Sequence, residues 1–182
     1  NPSFVLDLTA TPKEKSNIIS FVDASQLKRA SMVKLPVIVY NRKSQADVYA
    51  DAIAIRAKLE AQAQKEQETS GRYIRPIVLF QAQPRTSSDS TTYEKIKKTL
   101  MDGGIPEQEI AIKTGDKDEL KNVDLLSPEC PVRYIITVNA LKEGWDCPFA
   151  YVLATVANRS SAVDVEQILG RVLRLPYTRK NK

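Results

Sequence analysis

RYIITVNALKEGWDCPFAYVLATV, residues 133–156, sets the fold class. Two continuous apolar runs, Arg133 to Val138 and Tyr151 to Val156, flank a loop containing glycine, proline and charged residues. Short apolar runs that do not alternate with polar residues read as strands buried on both faces, the pattern of a parallel sheet. Working outward, Ile74 to Phe80, interrupted by Pro76, predicts another strand, as do Glu109 to Ile112, Pro36 to Tyr40 and Phe4 to Leu8. Helices fill the gaps. Ser44 caps a long one in which Val48, Ala52, Ile55 and Leu59 keep helical spacing, and a polar Ala/Gln-rich extension over 60–68 reaches into solvent before Gly71. Ser90 or Thr91 caps a second, with Tyr93, Ile96, Leu100 and Met101 on one face and Gly103-Gly104 at its end. A weak helix is expected over 117–126, and a final one from Ser161 to just before Pro176. This βαβα alternation predicts an α/β domain, a mainly parallel sheet flanked by helices in three layers. In such sheets ligands sit beyond the C-terminal strand ends, so the loops at 81–85, 114–115 and 139–148 are expected to gather the functional residues.

Composition narrows the chemistry. Among 182 residues there is no histidine, which removes imidazole bases, Ser-His-Asp triads and His-ligated metals. Two cysteines, Cys130 and Cys147, are too few for a disulfide framework and suit a reducing, cytoplasmic setting. No run of about 18 apolar residues is present to cross a bilayer. Twenty-seven basic against 22 acidic side chains leave a net charge of +5, compatible with a polyanionic partner. The chain opens on Asn1-Pro2 and runs straight into an apolar segment, so it reads as a piece excised from a longer protein.

The final helix carries the sharpest pattern. Val165, Ile168, Leu169, Val172 and Leu173 form one apolar face, and Gln167, Gly170, Arg171 and Arg174 lie opposite. The two guanidinium groups are expected side by side, pointing away from the core, with no acidic residue at i−4 to neutralise either. Gly170 costs roughly 1 kcal/mol relative to alanine inside a helix, which is tolerable where a phosphate or another backbone approaches. Such a face is prepared for an anion.

Gln167-Ile-Leu-Gly170-Arg171-Val-Leu-Arg174 resembles the sixth motif of superfamily 2 helicases and translocases, QxxGRxxR. The resemblance implies that Arg171 and Arg174 act as an arginine finger on the γ-phosphate of ATP held by a neighbouring RecA-like domain, with Gln167 and Gly170 at the nucleotide. A planar, permanently charged fork suits the charge on a transferring phosphoryl group. Leu141-Lys142-Glu143-Gly144-Trp145-Asp146-Cys147-Pro148 resembles the fifth motif, which implies Gly144 and Asp146 at the ribose and Lys142 at a phosphate of the nucleic acid or at the domain boundary. Together, LKEGWDCP and QxxGRxLRLP are similar to the Res subunit of type III restriction enzymes.

Thr9-Ala10-Thr11-Pro12 is similar to the third motif, in which Thr9 and Thr11 would couple the two lobes. Val78 to Gln83 resembles a diverged fourth motif, making Gln83, Arg85, Thr114 and Thr137 candidates for contacts to nucleic-acid phosphates. The implied organisation is a remnant of a first RecA-like domain plus connector over 1–34, and a second RecA-like domain over 35–182. No GxxxxGK[ST] phosphate loop and no DEAD-type Mg²⁺ quartet occur in the sequence. ATP and Mg²⁺ are therefore expected to bind in the full-length parent and not to this piece alone. The expected parent is an ATP hydrolase moving on double-stranded DNA, partnered by its first RecA-like domain and by a modification or specificity subunit. Two alternatives stand beside it: a nucleic-acid or protein binding module from a parent with a decayed ATPase, and a repair or RNA helicase domain.

Overall fold

The computed structural model describes residues 17–34, 36–84, 91–138, 146–156, 170 and 172–178. Its centre is a four-stranded sheet formed by β1 (Ile77–Gln81), β2 (Ile110–Lys113), β3 (Tyr134–Thr137) and β4 (Ala150–Thr155), in the order β2-β3-β1-β4. All three pairings are parallel. The helices are α1 (Ala24–Arg29), α2 (Gln45–Ser70) and α3 (Tyr93–Asp102). This is the three-layer α/β arrangement of a RecA-like domain.

β1 lies at the centre and shows how the layers form. Val78 and Phe80 join Tyr134, Ile136 and Ala154 beneath α2 and α3, where they meet Tyr49, Ala52, Ile96 and Leu100. Ile77 and Leu79 face the other way, onto Leu120, Val132, Phe149 and Val172. Because strand side chains alternate, one apolar run serves two cores. β1 and β3 are buried along their whole length, as the continuous runs predict, whereas β4 lies at an edge and is only half covered.

α2 follows its sequence cues. The Ser44 hydroxyl accepts a hydrogen bond from the Ala46 amide, and Gly71 closes the helix at φ 70°, a left-handed conformation that disfavours side chains with a Cβ. Its 60–70 stretch is largely exposed, with Ala63 its one buried side chain among the described residues. α3 starts one residue after the expected caps, at Thr92, without a side-chain cap, and ends at Gly103.

Two expectations fail. Residues 36–40 take no regular secondary structure and pair with no strand among the described residues, and Ile38 and Val39 are 69% and 84% exposed. Strand composition alone does not supply a partner edge. Residues 117–126 form turns instead of a helix, because side chains capture the local amides: Asp118 accepts from Leu120 at 3.1 Å and Asp124 from Leu126 at 2.9 Å, while Asn122 takes φ 69°. The strand expected at Phe4 to Leu8 lies outside the described residues.

These turns are anchored from inside. Arg75 is 2% exposed and donates to the Val132, Ser127 and Leu125 carbonyls and to the Tyr73 hydroxyl, at 2.7–2.9 Å. One guanidinium replaces the backbone ladder that the segment lacks. Removing it takes a donor from three carbonyls, of which Ser127 alone keeps a backbone partner, the Cys130 amide at 3.2 Å, so Arg75→Met is expected to cost about 3–5 kcal/mol in urea unfolding. Arg75→Lys should recover only part of this, since an ammonium cannot reproduce the fork. By contrast, Val39→Ser should stay within about 0.5 kcal/mol of the parent.

Candidate functional site

The parallel sheet imposes a route on the chain. β3 ends at Thr137, at the C-terminal edge of the sheet, whereas β4 begins beside the start of β1, at the N-terminal edge. The Cys147 carbonyl accepts from the Ala150 amide at 2.9 Å, and the Phe149 carbonyl from Ile77 at 2.8 Å. Asp146 therefore sits at the N-terminal edge of the strands. For Asp146 this corrects the expectation that the 139–148 loop joins 81–85 and 114–115 at the C-terminal edge; residues 139–145 lie outside the described residues.

Arg174 reaches the same edge. Gly170 and Val172 are helical, Leu173 is in a turn, and Arg174 forms an isolated antiparallel bridge with Val33. The helical placement of Arg174 is thus corrected: before Pro176, Leu173-Arg174-Leu175 follows the two-residue period of a strand, and residues 32–34 supply the partner. Arg174 Nη1 donates to Asp146 Oδ2 at 3.0 Å. The guanidinium is therefore neutralised by a carboxylate 28 residues away, which no helical spacing would reveal. The pair is open to solvent, with Arg174 54% and Asp146 32% exposed. Asp146 Oδ1 is buried and accepts no hydrogen bond among the described residues. Gly170 is exposed, and a Cβ there would meet nothing within 4 Å, so the backbone approach anticipated for it is absent among the described residues.

Lys34 completes the cluster. Its ammonium donates to the Ala150 carbonyl at 2.6 Å and the Val172 carbonyl at 2.9 Å, and lies 4.3 Å from the centre of the Tyr151 ring. Burial lowers its pKa to about 8, against the opposing pull of Cys147 and Asp146. Burial pushes the neighbouring Cys147 thiol up to about 12, keeping it protonated and unreactive at neutral pH. The sequence reading places residues 1–34 in a domain remnant plus connector and does not single out this lysine. Its one local sign is a cation set among Met32, Val33, Leu35 and Pro36.

Three of the nucleic-acid candidates, Gln83, Thr114 and Thr137, lie at the opposite edge and are committed elsewhere. Gln83 donates to the Val156 carbonyl at 3.0 Å and accepts from the Thr91 amide at 2.8 Å. The Thr114 hydroxyl accepts from the Lys117 amide at 3.0 Å, a turn-forming contact. Thr137 is completely buried within β3. Buried or spent on internal bonds, these three side chains are not presented to a phosphate. Thr9, Thr11, Arg85, Lys142, Gly144, Gln167 and Arg171 lie outside the described residues.

No helix among the described residues is long and apolar enough to cross a membrane. Comparison with protein-family models and with curated proteins gives no match.

Lys34 makes stability depend on pH. Folded, it loses its proton near pH 8, whereas the unfolded chain keeps it to the ordinary value of 10.5. The unfolded state then binds more protons, so this contribution to stability rises with pH across that window. Cys147 acts oppositely between its ordinary 9.0 and about 12, because the folded state holds that proton. Urea midpoints of wild type and Lys34→Met, compared between about pH 7.5 and pH 10, isolate the lysine: wild type should gain on the variant as pH rises.

Proposed function

We propose that this chain forms the second RecA-like lobe of an ATP-dependent DNA helicase or translocase similar to the type III restriction motor, supplying Arg174, with Arg171, to the γ-phosphate of ATP bound on the preceding lobe. The observation that carries this reading is the meeting of Asp146 and Arg174. Two segments selected for unrelated reasons, 28 residues apart, converge on one edge of the sheet. The donor set favours a nucleotide over a metal: a guanidinium for phosphate, a carboxylate oxygen for sugar hydroxyls, and a lysine nearby. Mg²⁺ in such a parent belongs to carboxylates of the other lobe.

The ion pair does not disable Arg174. Exposed pairs are worth about 0.2–1 kcal/mol, and a triphosphate offers several charges where Asp146 offers one. Lobe closure would transfer Arg174 from carboxylate to phosphate and free Asp146 for the ribose; reopening would shift the lobes along the nucleic-acid backbone. The exposed apolar side chains Ile19, Phe21, Ile38 and Val39 suit a lobe that packs against another.

The full-length parent tests the reading. Arg174→Ala should lower DNA-stimulated ATP turnover about 10³-fold or more while leaving DNA binding in place. Turnover within a few-fold of wild type would favour a binding module. Gly170→Ala separates fold from function: it should stabilise the domain by up to about 1 kcal/mol, as alanine does in helices, yet reduce turnover if the preceding lobe closes onto that backbone. The 182-residue chain alone, lacking a phosphate loop, should show no ATPase activity.

A further inference from the structure

Residues 32–34 hold the arginine segment by its backbone on both sides. The Lys34 amide donates to the Leu173 carbonyl at 2.6 Å, and the Leu175 amide donates to the Met32 carbonyl at 3.0 Å. Val33 lies directly opposite Arg174 between these bonds. In an antiparallel pair successive side chains alternate, so neighbours on one strand point to opposite faces. Lys34 accordingly turns inward, onto Ala150 and Val172, while Arg174 turns outward to Asp146. The ammonium joins three parts of the site through two carbonyls: the connector that bears it, the start of the strand that follows Asp146, and the helical turn that precedes Arg174.

We propose that Lys34 is a positioning residue for Arg174, and that the 32–34 clasp sets where the guanidinium stands relative to the incoming phosphate. The proposal rests on the reading of Arg174 as a phosphate contact. Without the ammonium, two buried carbonyls lose their donor, and the 172–175 turn is free to shift against β4. A displacement of about 1 Å at a catalytic group costs up to 10²-fold in rate, so the effect falls on turnover and not on nucleotide affinity. The clasp also gives the connector a mechanical role: any pull on it acts directly on the strand that carries Arg174.

The experiment is a double-mutant cycle in the full-length ATPase, with kcat, KM for ATP and urea midpoints measured together. Lys34→Met should lower kcat about 10–100-fold with KM within about twofold. In the Arg174→Ala background the same substitution should change kcat no further, because its target is gone. Lys34→Cys followed by aminoethylation restores an ammonium at nearly the original reach. It should restore kcat, and the buried Cys130 and Cys147 should resist the reagent. If the two losses multiply in the double variant, or if aminoethylation restores stability without kcat, Lys34 serves the fold alone and the proposal is overturned. An unchanged kcat for Lys34→Met in a protein that Arg174→Ala inactivates overturns it while sparing the functional reading. An Arg174→Ala variant with wild-type turnover overturns both.

Discussion

The parallel direction of β3 and β4 is the constraint from which the candidate site follows. A chain that leaves one strand at its C-terminal end and enters the next at its N-terminal end must travel the length of the sheet between them. Asp146, four residues before β4, accordingly lies at the edge opposite to the one where β3 stops. Val172 packs into the same core as Ile77 and Phe149, which brings Arg174 within reach of that carboxylate. Burial of apolar side chains thus brings together two charged ones distant in sequence.

The domain uses cations in two ways, and burial separates them. Arg75 is sealed inside, held by four hydrogen bonds, and substitutes for secondary structure between β2 and β3. Lys34 is partly buried and ties backbone to backbone. Arg174 is half exposed and holds one weak ion pair among the described residues. The exchange of partners in our account needs a cation of that last kind, since a charge held as Arg75 is held would cost several kcal/mol to withdraw.

Much of the fold was legible because local and tertiary forces agree. Ser44 and Gly71 bracket α2 by capping and left-handed geometry, and the runs at 77–81 and 134–137 are apolar on both faces because both faces are covered. Legibility failed where partners outweigh the apolar pattern. Val37-Ile38-Val39 has strand chemistry but no edge to pair with among the described residues, and residues 117–126 have helix-compatible composition but Asp side chains that bind nearby amides. For the site, Asp146 and Arg174 were identifiable as residues from their motifs. Their pairing was not, because it depends on the direction of a connection and on a clasp from a segment read as a mere connector.

The most direct measurement is a structure of the ATP-binding parent with a metal-fluoride mimic of the transferring phosphoryl group. The account predicts that Arg174 leaves Asp146 and donates to the fluoride ligands, with the 32–34 clasp intact. An Arg174–Asp146 pair that stays closed beside a fully occupied nucleotide site would contradict it.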